Sequence, residues 1–174
     1  MKIFITGLPG SGKSTVLIKV LDFLKSKNLS VGGIISPEIK EKGRRIGFEV
    51  VDIFSNKRKV FASIYFKSNY KVSKYFVDIN AFEEVATNAL EFAFENCDVI
   101  AIDEIGKMEL LSKKFEEIVY KIVHSNKPLI AVVHRNYIDD FREFGKTFVV
   151  TQENRDELPK TILNYIIQNL GIKT

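Results

Sequence analysis

The residues that most clearly suggest chemistry lie near the amino terminus, in the run Gly7-Leu8-Pro9-Gly10-Ser11-Gly12-Lys13-Ser14. Gly7, Gly12, Lys13 and Ser14 match the spacing G-x-x-x-x-G-K-[ST] of a phosphate-cradling loop. In a chain of this length a chance match is on the order of one per cent. Glycines let successive backbone amides turn inward and approach phosphate oxygens. Those amides then form an anion nest at the positive end of the following helix. In such a loop Lys13 reaches the β- and γ-phosphates and the Ser14 hydroxyl ligates Mg²⁺, with Thr15 next in line for the α-phosphate. A glycine-rich turn that only capped a helix would not need Lys-Ser at these two positions.

A second constellation stands at Asp103-Glu104, directly after the apolar run Val99-Ile100-Ala101-Ile102. An acid at the carboxyl end of a central strand faces the crevice where open α/β sheets bind ligands. There Asp103 is placed to hold Mg²⁺, and the neighbouring Glu104 to orient or deprotonate an attacking water. An ordinary helix-capping pair would read the same in isolation. Gly106 follows, either to let the backbone approach a nucleotide or as a simple turn glycine. His134, after the apolar run Pro128–Val133, is the candidate sensor of a γ-phosphate, whereas His124 reads as structural. A cation on the developing γ-phosphate charge would come from Arg44, Arg45, Arg135, Arg142 or Arg155, and the sequence does not choose among them. The polar run Thr151–Asp156 fits base recognition and helix capping equally well. There is no Asn-Lys-x-Asp motif of the kind that reads guanine.

Elements must hold these groups in place. Residues 2–6 read as a strand. Residues 13–27 carry Val16, Leu17, Val20, Leu21 and Leu24 at helical spacing. Strands are expected at Val31–Ser36, Ile46–Phe54, Val60–Phe66, Tyr70–Val77, Val99–Ile102, Pro128–Val133 and Phe148–Val150, and helices at Asn80–Asn96, Phe115–Val123, Ile138–Phe144 and Glu157–Leu170. The continuous apolar strands suit a parallel sheet covered on both faces. The expectation is therefore one α/β domain over residues 1–174, with an antiparallel β insertion at about residues 45–77.

Composition narrows the class. The 174 residues, 45% hydrophobic and 28% charged, describe an ordinary globular chain. Its one cysteine, Cys97, cannot form an internal disulfide and is expected in the core. A reducing, cytoplasmic setting fits that usage, and no apolar run reaches the length of a membrane span. The first residues form a strand that Gly7 cuts short, not a signal peptide. The net charge is +4 and the pI about 9.0. Apart from small clusters at Lys40, Lys42, Arg44 and Arg45 and at Lys57, Arg58 and Lys59, the basic residues are scattered. Solvated faces explain them better than a nucleic-acid footprint does.

The chain resembles the small P-loop enzymes called cancer-related nucleoside triphosphatases. The likeness runs over nearly the whole chain. It rests on the residue 7–15 loop and on Gly32-Gly33-Ile34-Ile35-Ser36-Pro37-Glu38, Gly43-Arg44-Arg45-Ile46-Gly47-Phe48 and Tyr75-Phe76-Val77-Asp78. It continues with Asp103-Glu104-Ile105-Gly106-Lys107-Met108-Glu109 and Glu153-Asn154-Arg155-Asp156. Leu8, Ser11, Ser14 and Ser36 depart mildly from the usual pattern, and a serine at position 14 still binds Mg²⁺. The resemblance implies a RecA-like, mostly parallel sheet with helices on both faces. It also implies a Mg²⁺-dependent phosphohydrolase of broad base tolerance, taking ATP, GTP, CTP, UTP and TTP to the diphosphate and phosphate. Oligomeric state stays open. Two rival readings also remain: a nucleotide or nucleoside kinase, with the basic cluster around Arg44 as its lid, and an RNA- or protein-stimulated switch.

Overall fold

The computed structural model describes residues 1–173. Ten strands and four α-helices follow one another as β1 (Lys2–Gly7), α1 (Lys13–Ser26), β2 (Val31–Ile35), β3 (Glu38–Glu41), β4 (Arg44–Asp52), β5 (Arg58–Ser63), β6 (Lys71–Val72), β7 (Tyr75–Val77), α2 (Ile79–Asn96), β8 (Val99–Ile105), α3 (Lys113–Val123), β9 (Leu129–Val133), β10 (Lys146–Val150) and α4 (Leu158–Leu170). The strands form one sheet in the order β10-β1-β9-β8-β2-β4-β5-β7-β6, with β3 paired to β4. From β10 to β2 every pairing is parallel. From β2 onward every pairing is antiparallel. The chain is thus a mostly parallel α/β sheet extended on one side.

The alternation of side chains along the parallel strands explains the two cores. Ile3, Ile5, Ala101, Ile130 and Val132 pack under α1 and α4. Phe4, Ile100, Ile102, Ala131 and Val133 point the other way, under α2 and α3. Both faces are dry, which is why these strands read as unbroken apolar runs. Cys97 lies in the second core, as expected, buried beside Gly32. Asp78 caps α2 by accepting from the Ala81 amide at 3.0 Å, and Ser112 caps α3 by accepting from the Phe115 amide at 3.1 Å. In contrast, α1 starts without a side-chain cap. Its first amides therefore stay available to an anion.

The antiparallel extension begins earlier than residue 45, with β3 at Glu38. The polar tetrapeptide Glu-Ile-Lys-Glu has no alternation to announce it. The expected strand Tyr70–Val77 is a hairpin of β6 and β7, turned at Ser73 with φ 56°. The expected strand Ile46–Phe54 stops at Asp52, whose carboxylate accepts from the Phe54 and Ser55 amides at 2.9 and 3.1 Å. That local turn competes with the ladder and ends it. The expected helix Ile138–Phe144 is two 3₁₀ segments, Ile138–Asp140 and Arg142–Phe144. Ile138, Phe141 and Phe144 all pack toward the α2–α3 core. A spacing of three suits the 3₁₀ repeat better than the α-helical one. Among the described residues no helix is long and apolar enough to cross a membrane.

Candidate active site

The phosphate loop runs from the end of β1 into α1. Gly12 sits at the helix entrance with φ 105°, a backbone conformation that side-chain-bearing residues rarely adopt. The Ser11 amide donates to the Leu8 carbonyl at 3.1 Å and the Val16 amide to the Gly12 carbonyl at 3.0 Å, which closes the loop on itself. The Lys13 ammonium donates back to the carbonyls of Gly7 and Leu8 at 2.9 and 3.0 Å. It therefore lies across the loop whose amides would hold an anion. Burial pulls its pKa down, while the charges of Glu104 and Asp103 push it up.

Across the crevice, β8 delivers the acidic pair. Strand order is decisive here, because β9 lies between β1 and β8. The phosphate loop and the acids are thereby held one intervening strand apart, with a gap between them. Asp103 is recessed in that gap. Burial raises its carboxyl from an ordinary 3.8 to about 6. The charge of Glu104 adds to the rise, while contact with the Ser14 hydroxyl and the charge of Lys13 pull it back. Burial likewise raises Glu104, and Lys13 opposes that rise. Gly106 is closely packed on its Cα side. A Cβ there would sit 2.7 Å from a Glu104 carboxyl oxygen and 2.9 Å from one of Glu109, so its missing side chain makes room for two acids. Glu109 is buried, and burial together with the nearby charges of Glu104 and Asp103 holds its carboxyl well above the ordinary range.

These groups share one cavity of about 580 Å³. Pro9, Gly10, Gly12, Lys13, Ser14, Thr15, Asp103, Glu104 and His134 line it, so most of the sequence candidates converge. Gly7, Leu8, Ser11 and Gly106 are not in its lining. Gly7 and Ser11 are buried behind the loop, and Leu8 is exposed. The His134 amide donates to the Ile105 carbonyl at 3.0 Å, and its Nδ1 accepts from the Asn136 amide at 3.1 Å. Burial, Arg135 and Lys13 all lower its pKa. A neutral ring whose Nδ1 accepts carries its proton on Nε2, which is then a donor. His124 instead packs against Tyr120 and Phe144.

The cavity also takes in Ser36, Glu38, Arg45, Phe48 and Val72 from β2 and the extension, and Lys107, Met108, Glu109 and Tyr137 beyond the acids. Sequence reasoning assigned these no separate role, apart from Arg45. Ser36 and Glu38, Arg45 and Phe48, and Lys107, Met108 and Glu109 stand in the runs Gly32–Glu38, Gly43–Phe48 and Asp103–Glu109, whereas Val72 and Tyr137 carried no such signal. Asn154 is tied into its own loop. It accepts from the Thr151 amide at 2.8 Å and donates to the Val149 carbonyl at 2.8 Å. Of the basic clusters, Lys59 pairs with Glu84 and Arg58 with Glu49. Arg58, Lys59 and Glu84 line a larger depression of about 790 Å³ between that edge and α2, which shares no lining residue with the cavity at the phosphate loop.

A parallel core with an uncapped helix behind a glycine loop, and an acidic strand one strand removed, defines a P-loop protein of the RecA-like type. The family described as NTPase matches residues 2–163, and the chain belongs to it, which makes it an enzyme of the hydrolase class. It is 40% identical over 170 residues to nucleoside-triphosphatase THEP1 of Methanocaldococcus jannaschii, covering 98% of this chain and 99% of that one. It is 42% identical over 170 residues to the protein of the same name from Sulfurisphaera tokodaii, with 98% and 97% covered. Among solved structures, THEP1 from Aquifex aeolicus superposes with a TM-score of 0.81 at 34% identity, covering 95% of this chain and 98% of that one. A human cancer-related nucleoside triphosphatase gives 0.80 at 31% identity, with 96% and 97% covered.

Proposed function

We propose that this protein hydrolyses nucleoside triphosphates at the γ-phosphate, with Mg²⁺, through Lys13, Ser14, Asp103 and Glu104, and with little regard for the base. The observation that carries this reading is the convergence of those four side chains on one cavity at the entrance to α1. The donor set suits the metal. The Ser14 hydroxyl and the Asp103 carboxylate are hard oxygen ligands in contact with each other, and the raised Asp103 pKa marks a buried carboxylate short of compensating positive charge. When bound, Mg²⁺ would neutralise phosphate charge at these two groups.

The protein's own residues supply the rest. The amides of Gly10 and of residues 12–14 bind the phosphate chain, and Lys13 exchanges its carbonyl partners for phosphate oxygens. Glu104 holds a water in line with the γ-phosphorus and accepts one of its protons. The water oxygen bonds to phosphorus, and the bond to the β,γ-bridging oxygen breaks with its electron pair leaving on the diphosphate. A general base of this kind contributes about 10²–10⁴-fold. Base tolerance is supported by the loop after β10, where Asn154 and the Thr151 hydroxyl are occupied with each other's backbone. On this reading, ATP, GTP, CTP, UTP and TTP are all accepted, as the family resemblance implies.

The test is phosphate release from each triphosphate with Mg²⁺ or EDTA and no acceptor present. ATP and GTP are expected within about tenfold of each other, a difference of about 1.4 kcal/mol. A thousandfold preference would reveal a dedicated base pocket. No release without an added acceptor would favour the kinase reading.

A further inference from the structure

We infer that Arg45, carried on the antiparallel extension, is the cation that neutralises the charge developing on the γ-phosphate. This rests on the hydrolytic reading above and adds a catalytic residue to it. Five arginines were candidates from sequence, and the structure separates them. Arg142 is held by Asp139 at 2.8 Å, and neither it nor Arg44 lines the cavity. The Arg155 stem lies against Gly12, its Cδ 3.5 Å from where a Cβ would be, outside the cavity lining. Arg135 is exposed and outside the cavity lining, and although its charge reaches Lys13 and His134, no hydrogen bond among the described residues orders its side chain. Arg45 lines the same cavity as Lys13, Asp103 and Glu104.

Arg45 is also fixed in place. Its Nε donates to the Tyr75 hydroxyl at 2.9 Å, and its Nη1 to Glu38 at 3.0 Å. The guanidinium carbon lies 5.3 Å from the Phe48 ring centroid and 5.7 Å from that of Tyr75. Those rings meet edge to face at 5.3 Å, and Tyr75 is buried. A guanidinium carries five N–H donors. Two are used, and the others have no partner among the described residues. Nε and one Nη1 hydrogen hold the group, and the unspent donors remain for an anion. A cation ordered in advance costs no reorganisation as charge moves onto the phosphate oxygens. The strand order puts β4 beyond β2 and β8, on the opposite side of the acids from β1. Arg45 thus approaches from the wall facing the phosphate loop, and no partner chain is needed to deliver it. The step is unchanged in its atoms: water oxygen to phosphorus, bridging oxygen to the leaving diphosphate, one proton to Glu104. Tyr75 is the positioning residue, acting through Arg45.

The experiment compares wild type with R45A, R45K, Y75F, R135A and R155A. It measures single-turnover hydrolysis of Mg–ATP, affinity for a non-hydrolysable ATP analogue, and affinity for ADP with aluminium fluoride as a mimic of the transferring phosphoryl group. R45A is expected to slow hydrolysis on the order of 10³-fold. The analogue should still bind within about threefold, since the loss falls on the transition state. The aluminium fluoride complex should weaken in step with the rate, and added methylguanidinium should restore part of the rate. Y75F, which keeps the ring and loses the hydroxyl, should slow hydrolysis about tenfold. If R45A melts below the assay temperature, R45K carries the test, because a lysine cannot reproduce the forked geometry. R45A hydrolysing within about fivefold of wild type, a rate loss matched by lost analogue affinity, or a larger loss in R135A or R155A each overturns the inference. Failure of the wild type itself to release phosphate would instead overturn the hydrolytic reading.

Discussion

Asp103→Asn replaces an ionisable group with an amide of the same shape, and the structure sets the sign of the result. The Asp103 carboxyl stands at about 6 in the folded protein against an ordinary 3.8. The folded state therefore binds this proton more tightly than the unfolded one. The associated stability is fully present below about pH 4 and is lost as pH rises through about 6. A gap of about two pH units corresponds to on the order of 3 kcal/mol at neutral pH. Without nucleotide, D103N should therefore be the more stable protein at pH 7.5, by up to about 3 kcal/mol. For a chain of this size that is roughly 6–12 °C in Tm. Below pH 4 the two proteins should melt together. Saturating Mg²⁺ and a non-hydrolysable triphosphate should reverse the order. A ligand at a thousand times its Kd stabilises the wild type by about 4.1 kcal/mol, more than the advantage of D103N, which has lost a metal ligand. The assay is calorimetric melting of both proteins between pH 4 and 7.5, with and without the ligand. Glu104 and Glu109 are common to both, so the difference reports Asp103 together with the relief its lost charge gives those two acids. If D103N melts lower than wild type at pH 7.5 without ligand, or the difference does not change with pH, the burial argument is wrong.

Other perturbations separate the remaining parts. Glu104→Gln should keep Mg–nucleotide affinity by calorimetry and lose about 10²–10⁴-fold in single-turnover rate; normal hydrolysis would move water activation elsewhere, His134 first. Lys13→Ala should abolish phosphate release while circular dichroism and Tm stay near wild type, since Lys13 bonds only to loop carbonyls; an unchanged rate would remove the phosphate-loop assignment. Gly33→Ala should cost more than about 3 kcal/mol by denaturant melting. Its φ is 121°, and the added Cβ would fall 1.9 Å from the Ala101 carbonyl oxygen, inside the β2–β8 ladder. A stability within 1 kcal/mol of wild type, on the order of a surface substitution, would mean the two strands can part more easily than their pairing suggests.

The parts of the site legible in the sequence were those encoded locally. Gly7 to Ser14 must lie together because they are consecutive. Asp103 and Glu104 follow an apolar run whose burial on both faces is itself a sequence signal. Arg45, Phe48, Val72 and Tyr75 come together only through pairings between β4, β5, β6 and β7, which no local pattern specifies. Glu109 had no signal beyond its place in the run Asp103–Glu109, and its burial depends on Gly106 leaving space beside Glu104. The exposed strand β3 carries no hydrophobic alternation because neither of its faces meets a core. The 3₁₀ segments at Ile138–Phe144 were misjudged for a related reason. Ile138, Phe141 and Phe144 recur at a spacing of three, which a reading for α-helical amphipathicity accepts but which the 3₁₀ repeat fits better.

Asn154 has a consequence beyond holding its loop. The sheet ends at β10 on one side and at β6 on the other. Strand β6 is only two residues long and includes Lys71, too short and too charged to recruit another chain. β10 is five residues long, with Val149 about half exposed, and it borders the strand that leads into the phosphate loop. Its outer carbonyls are a template for strand addition, and the Asn154 amide occupies the one at Val149. The polar run after β10 thus acts as an edge guard. Loss of the Asn154 side chain would first appear as self-association through β10, at a distance from the chemistry but one strand away from the loop that performs it.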